Sequence, residues 1–182
     1  YYMKSKVPTL NDILGNWVGK IKAGIEYIIK KSGPLSIGVN QIGGLVKSSP
    51  SEKNPNTQLY LNPVSYSIRR GNQRKLMQPD KFSGYFIGFN PCRPKSRGKI
   101  EIQSLDTNVQ PKITCNYLSE ESDLKDVLKG ARLVGSMQET DAIKSILSEP
   151  PQTPLSLMSD EEVIEDFRER AGTIFHPCCT CR

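Results

Sequence analysis

Residues 35–117 alternate short extended stretches with turn-forming residues, and this pattern constrains the fold more than any other feature of the sequence. Leu59, Leu61 and residues 99–103 follow the two-residue period of a strand, and prolines and glycines separate the stretches. The connections are too short for the crossovers that parallel strands require, so we predict an antiparallel sheet of five or six strands. The predicted strands fall within residues 35–47, which hold one or two of them, and within residues 58–66, 84–90, 99–103 and 111–117.

Helical periodicity occurs on both sides of this sheet segment. Apolar residues from Leu10 to Ile29 have the spacing of one amphipathic helix with a buried stripe, and residues 120–137 predict another helix with a further turn at 142–147. Residues 159–162 form a capping box for a last helix that ends at Gly172. The predicted fold class is α+β, with the sheet flanked by helices in one domain of 182 residues.

The chain carries more basic than acidic residues, 25 against 19, for a net charge of +6. Residues 67–83 are basic without periodicity and predict a long exposed loop, and Arg93, Lys95, Arg97 and Lys99 form another cluster. Positive charge suits an anionic partner, but no aromatic residues alternate with these clusters to stack on bases. We favour a solvated basic face over nucleic-acid binding. A freestanding anion- or nucleic-acid-binding module is the alternative.

Several functional classes lack their sequence signatures. No apolar run reaches the length of a membrane span, and the first residues do not resemble a secretory signal. No two glycines are separated by a single residue, so the dinucleotide-binding fingerprint is absent and such a cofactor would need another part of the protein. The odd number of cysteines, five, favours reduced thiols and a cytoplasmic location.

Reactive side chains concentrate at the end of the chain. His176 is the only histidine, and imidazole is the side chain that titrates near pH 7, so His176 is the candidate for acid–base chemistry. Cys178, Cys179 and Cys181 follow too closely for a four-ligand zinc site, and Cys178 with Cys181 does not open a helix as redox pairs do. From residue types alone, a packed histidine with buried cysteines is favoured, and we expect no metal. Zinc and redox chemistry stay open as alternatives.

Three stretches have the order and spacing of motifs in one enzyme family. Residues 92–118 run through the pattern RP-S-G, S-D, P-I and NYL. Residues 171–182 contain a close version of the signature HPxGTCRMG, and residues 31–35 read KSGPL. Together these stretches resemble the glucose-methanol-choline (GMC) oxidoreductases, in particular their choline and alcohol dehydrogenase branch.

The resemblance implies the substrate-binding part of a larger FAD-dependent enzyme that transfers a hydride from an alcohol to flavin. His176 would then be the catalytic base, and Pro177, Cys178 and Thr180 would contact the cofactor. Cys179 stands where the family often has glycine. Residues 172–182 would form the edge that meets the flavin, and the FAD domain would be another part of the same protein. The 182-residue chain alone should be unable to hold FAD.

The same resemblance implies where an alcohol would bind. In this family a six-stranded antiparallel sheet roofs the substrate cavity, in agreement with the sheet predicted here. Tyr85 and Phe86 are the candidate substrate-binding residues, and Tyr60 and Tyr66 are further aromatic candidates, but for each ring packing within the sheet is the favoured alternative. A choline-like substrate would call for such rings because their faces attract cations. The identity of the alcohol is left open.

Overall fold

The computed structural model describes residues 1–38, 40–66, 78–172 and 178–179. It confirms the predicted α+β class, with antiparallel strands and helices. In chain order the elements are β1 (Tyr2–Lys4), α1 (Leu10–Leu14), α2 (Trp17–Lys30), a 3-10 turn (Pro34–Ser36), β2 (Ile42–Val46), β3 (Thr57–Asn62), β4 (Gly84–Pro91), β5 (Lys99–Glu101), β6 (Lys112–Thr114), α3 (Glu121–Gln138), α4 (Asp141–Ile146) and α5 (Asp160–Arg170).

The main sheet contains four antiparallel strands in the order β1-β4-β3-β2. Strand β4 is the longest and pairs with β3 over six residues, so that Tyr60 lies opposite Gly88. Successive side chains of a strand point to opposite faces. Tyr85, Ile87 and Phe89 of β4 therefore share one face of the sheet, and residues 84, 86, 88 and 90 share the other.

Helix α3 packs on the Ile87 face of β4 and completes the core. Val127, Ala131 and Val134 lie one or two turns apart on α3 and are fully buried. Their spacing is the apolar stripe that the sequence predicts for this helix. The buried core residues are Met3, Tyr85, Ile87, Phe89, Val127, Ala131, Val134, Leu147, Leu155 and Val163.

The strand count agrees with the prediction, although the strands are arranged differently. The described residues hold six strands, but β5 and β6 form a separate two-stranded sheet. Strand β1 was not predicted, because three residues are too few to show a period. It forms because it pairs with β4, and the Tyr1 backbone nitrogen donates a 2.8 Å hydrogen bond to the Ile87 carbonyl oxygen. Residues 34–36 form a 3-10 turn, outside the strands.

The single amphipathic helix predicted for residues 10–29 is wrong in two respects. The chain breaks into α1 and α2 at Gly15 and Asn16, and the Asn16 side chain caps α2 by accepting a 2.8 Å hydrogen bond from Gly19 N. The predicted stripe is also not buried within this chain. Trp17 is 72% exposed and Ile28 is 70% exposed, so the buried side of α2 is instead the one that carries Ala23.

The other helices follow the sequence more closely. Ser159 caps α5 in the predicted capping box, with its hydroxyl accepting from Glu162 N and the Glu162 carboxylate accepting from Ser159 N. Most of the predicted 67–83 loop lies outside the described residues. Among the helices of the described ranges, none has the length and apolar character needed to cross a bilayer.

Candidate active site

Four aromatic rings cluster on the sheet face opposite the core. The Phe86 ring lies at the centre, with ring centroids 5.3 Å from Tyr2, 6.1 Å from Tyr60 and 5.7 Å from Tyr66. Tyr2 and Tyr66 also meet edge to face at 6.0 Å. These distances and angles are those at which aromatic rings attract one another. We call Tyr2, Tyr60, Tyr66 and Phe86 the aromatic cluster.

The strand pleat separates the two residues that the sequence assigned jointly to the substrate. Phe86 belongs to the aromatic cluster, whereas Tyr85 is 4% exposed and packs in the core between sheet and helices. Burial raises the pKa of Tyr85 to about 12. The structure therefore brings Phe86 together with Tyr60 and Tyr66, and places Tyr85 on the other face. Tyr2 joins the cluster although no sequence signal marked it.

The hydroxyl groups of the aromatic cluster are neutral at physiological pH. Burial raises the pKa of Tyr60, and burial followed by the neighbouring Tyr60 raises that of Tyr66. Burial also raises the pKa of Tyr2, helped by Tyr66 and Asp80. Phenols in this state donate and accept hydrogen bonds without acting as a base near pH 7. The cluster can hold a ligand by ring contacts, and a base must come from elsewhere.

The side-chain amide of Asn90 lies on this same face of the sheet, near the end of β4. Asn90 has the same strand parity as Phe86 and Gly88, and its Oδ1 atom is buried with no hydrogen-bond partner among the described residues. Buried polar atoms are normally paired. Asn90 therefore offers an unused acceptor on the face that carries the aromatic cluster.

The C-terminal segment is attached to the loop that follows β4. Gly98 N donates a 3.0 Å hydrogen bond to the carbonyl oxygen of Cys179, and the Cys179 sulfur lies 3.9 Å from the Pro94 carbonyl oxygen. Cys179 has a φ of 69°, in the left-handed region that glycine adopts most easily. This conformation accounts physically for a glycine in the related signature, and here a thiol occupies the position instead.

Adjacent thiols occur at Cys178 and Cys179. Their sulfur atoms are 3.5 Å apart, and Cys178 is exposed. The hydrogen bond from Cys179, followed by burial, raises the pKa of Cys178. Cys178 is therefore a neutral thiol at pH 7. Among the proposed FAD contacts, Pro177 and Thr180 lie outside the described residues, as does His176.

The zinc and redox interpretations depend on His176 and Cys181, which lie outside the described residues. Within the described ranges there is no group of three histidine, cysteine, aspartate or glutamate side chains placed to hold a metal ion. The basic cluster is partly engaged, because Arg97 donates to the carbonyl oxygens of Pro94, Lys95 and Ser96 and Lys99 pairs with Glu101 at 3.0 Å. These contacts leave fewer free cations for an anionic partner.

The family is decided by comparison of the sequence. Residues 94–182 match the sequence model of the GMC oxidoreductases. Residues 94–182 therefore hold a C-terminal domain of the GMC oxidoreductase type. The chain is 33% identical over 157 residues to the alcohol dehydrogenase [acceptor] of Pseudomonas putida, and the match covers 86% of this chain and 27% of that protein. It is also 28% identical over 166 residues to the oxygen-dependent choline dehydrogenase of Proteus mirabilis HI4320, and that match covers 91% of this chain and 29% of that protein.

A solved structure shares the fold of this chain. The formate oxidase of Aspergillus oryzae RIB40, in a variant studied for its FAD modification, superposes with a TM-score of 0.75 at 18% identity. That match covers all of this chain and 35% of the oxidase. The chain thus spans between a quarter and a third of the length of these two curated relatives, 27% of the first and 29% of the second. GMC oxidoreductases are FAD-dependent, and the nucleic-acid-binding alternative is not favoured.

Proposed function

We propose that this chain is the substrate-binding part of a longer GMC oxidoreductase that removes a hydride from an alcohol. The observation that carries the proposal is the aromatic cluster on the sheet face that α3 leaves free, in a chain whose C-terminal half matches the family. The curated relatives named alcohol and choline dehydrogenases support the same substrate class.

His176 is the proposed base of the reaction. A neutral imidazole accepts the proton of the alcohol hydroxyl, and the resulting negative charge on oxygen raises the electron density at the carbon that loses the hydride. A positioned general base typically contributes about 10² to 10⁴ in rate. The bound flavin supplies the hydride acceptor. His176 is suited to this role because the tyrosines of the aromatic cluster are held neutral and protonated.

The FAD domain of the same protein is the proposed partner of this chain. The chain has no glycine fingerprint for a dinucleotide, so the cofactor must be held chiefly by residues elsewhere. Residues 172–182 are the proposed edge toward the flavin, with Pro177, Cys178 and Thr180 in contact with it. The exposed neutral thiol of Cys178 fits such an edge, since it adds no charge against the ring system.

The aromatic cluster is the proposed wall for the carbon skeleton of the alcohol. Neutral rings favour apolar or cationic groups over anionic ones, because their faces carry negative charge density. Phe86 with Tyr60 and Tyr66 would contact the substrate, and Asn90 would offer a hydrogen-bond acceptor. Tyr85 would contribute indirectly, because it packs in the core on the other face of the same strand.

The test is the His176→Ala variant of the longer flavoprotein, assayed with short aliphatic, aryl and choline-type alcohols. We expect the variant to keep its flavin absorbance and to lose about 10² to 10⁴ in kcat with the best substrate. A Lys6→Ala variant, on the exposed surface, is the control and should turn over as the unchanged enzyme does. Unchanged turnover in His176→Ala would refute the role assigned to His176.

A further inference from the structure

A buried carboxylate holds the loop that follows β4. Asp123, in the first turn of α3, is 3% exposed. Its Oδ1 atom accepts a 2.7 Å hydrogen bond from Lys95 N, and its Oδ2 atom accepts from Ser96 N at 2.8 Å and from Ser96 Oγ at 2.5 Å. Hydrogen bonds to a charged acceptor are shorter and about twice as strong as neutral ones.

The Ser96 hydroxyl also completes the start of α3. Its oxygen accepts from Ser119 N at 3.0 Å and from Glu120 N at 3.2 Å. Glu120, at the N-cap position, makes no capping hydrogen bond with its own side chain. A helix start leaves backbone N–H groups without partners, and here a serine from a distant loop supplies the acceptor. The loop therefore donates hydrogen bonds to Asp123 of α3, and the start of α3 donates hydrogen bonds to Ser96 of the loop.

The same loop holds the C-terminal segment through Gly98. Gly98 lies two residues after Ser96 and donates to the Cys179 carbonyl oxygen at 3.0 Å. Gly98 is also held close to the end of β6, where a Cβ would meet the Thr114 carbonyl oxygen and, at 2.7 Å, the carbonyl oxygen of Cys115 just after the strand. The Asn116 side chain donates to the Arg97 carbonyl oxygen at 3.0 Å, which fixes the peptide before Gly98. The donor to Cys179 is thus part of a rigid arrangement.

We propose that Ser96 and Asp123 are positioning residues, which fix the Gly98 amide so that the C-terminal segment presents His176 to the substrate. This inference rests on the proposed function. His176 precedes Cys179 by three residues, and three residues span at most roughly 10 Å. An anchor on the Cys179 carbonyl therefore restricts where the imidazole can lie. Neither Ser96 nor Asp123 touches the reacting atoms in this scheme.

The size of the effect follows from the sensitivity of catalysis to position. Displacement of a reacting group by about 1 Å can cost about 10²-fold in rate. Ser96→Ala removes one donor to Asp123 and the acceptor for two backbone amides, and Asp123→Asn places an amide NH₂ against donors. We expect kcat per bound flavin to fall by about 10- to 100-fold in each variant, with KM changed by less than about threefold, since the substrate wall is untouched.

The experiment measures kcat, KM and flavin content of Ser96→Ala and Asp123→Asn in the longer flavoprotein. Ser136→Ala is the matched control, because Ser136 lies exposed on the same helix and its hydroxyl donates only to the Leu133 carbonyl within that helix. We expect Ser136→Ala to keep kcat within about twofold of the unchanged enzyme. If Ser96→Ala does not yield folded protein, the isosteric Asp123→Asn carries the comparison.

Double variants separate positioning from a purely structural role. If Ser96 acts through His176, adding Ser96→Ala to His176→Ala should cause no further loss in kcat per bound flavin. A structural role would leave kcat per bound flavin unchanged in the single variants, or give additive losses in the double variant, and either result would overturn the inference. The proposed function would survive that result if His176→Ala alone is inactive. Full activity in His176→Ala would refute both the positioning role of Ser96 and Asp123 and the proposed function.

Discussion

Asp123 shows how a residue that sequence patterns assign to a helix start acquires a second role in the fold. Acidic residues in the first turn of a helix stabilise its dipole, and that generic reading needs no further partner. The structure adds the two backbone amides and the hydroxyl that a loop 27 residues earlier brings to the carboxylate. No local pattern could predict this contact, because it depends on how β4 ends relative to α3.

The stability of the protein should depend on pH through Asp123. Burial alone would raise the pKa of this carboxyl, but hydrogen bonds from the Ser96 hydroxyl and from the Lys95 and Ser96 amides outweigh burial and hold the pKa below its usual value. A lowered folded-state pKa contributes stability above the unfolded-state pKa, and that contribution is lost as pH falls through the folded-state pKa.

We expect Asp123→Asn to lower the free energy of unfolding by about 1–3 kcal/mol at pH 7. The difference from the unchanged protein should shrink as the pH falls through the folded-state pKa of Asp123, because protonation then removes the same charge. Urea unfolding at a series of pH values measures this difference. A penalty that stays constant from pH 7 to the acid limit would show that the charge of Asp123 is not what stabilises the loop.

Tyr85 and Phe86 mark the limit of site prediction at the residue scale. Both are aromatic and adjacent, so the sequence and the family resemblance assigned them together to the substrate. The pleat of β4 sends Phe86 to the aromatic cluster and Tyr85 into the core. Which of the two residues joins the aromatic cluster depends on the side of the sheet that α3 covers, and a short strand without alternation carries no such information.

Two glycines within helices differ in how closely their helix packs against the rest of the protein. Gly24 lies in α2 with no atom within 4 Å of a Cβ placed on it, whereas a Cβ on Gly130 of α3 would lie 2.5 Å from Cδ2 of Phe89. Gly24→Ala should stabilise the protein by about 0.5–1 kcal/mol, because alanine loses less backbone entropy in a helix. Gly130→Ala should destabilise it by about 1–3 kcal/mol through overpacking.

Urea unfolding midpoints of these two variants, with the unchanged protein as reference, measure the contrast. The substitution is identical and both sites are helical, so the helix propensity gain cancels in the comparison. A shift of both midpoints in the same direction would contradict the packing of Phe89 against α3. This pair therefore tests the contact between sheet and helix layer on which the whole core depends.

Helix α2 explains why apolar periodicity did not predict burial. The spacing of its isoleucines correctly indicated a helix, but periodicity reports only that one side is apolar and not what covers it. Within this chain α2 contacts α1 and the 3-10 turn, and Ile21, Ile25 and Ile29 remain at least half exposed. Strands β2, β3 and β4 were easier to anticipate, since each pairs with a neighbour in the chain order.

At the scale of the whole molecule, the fold class and the sheet follow from local patterns, whereas the functional site does not. Short connections dictated antiparallel pairing, and capping residues marked the helices. The aromatic cluster depends on β1, whose three residues pair with residues of β4 that lie 80 to 84 positions later in the chain. Such long-range pairing has no local signal, and the proposed role of His176 rests on its residue type and on the family resemblance.

The proposed division of the chemistry between this chain and an FAD domain leads to the last prediction. A dinucleotide cofactor is usually held by a glycine-rich turn and the N-terminus of a following helix, and the chain lacks that fingerprint. The exposed apolar side of α2 is a surface of the kind that usually packs against another domain or protein. In the curated relatives, the chain outside the matched region is more than twice as long as the matched region itself.

We expect the 182-residue chain, purified in the presence of excess FAD and then gel-filtered, to retain no flavin absorbance, whereas the longer protein retains it. Both proteins are compared at equal concentration, and circular dichroism of the short chain establishes that its helices are formed. Stoichiometric flavin on the folded short chain would contradict the proposed division, because residues 172–182 would then bind the cofactor without an FAD domain. Its absence locates the main binding energy for FAD outside these 182 residues, and His176 then depends on a second domain to meet the flavin.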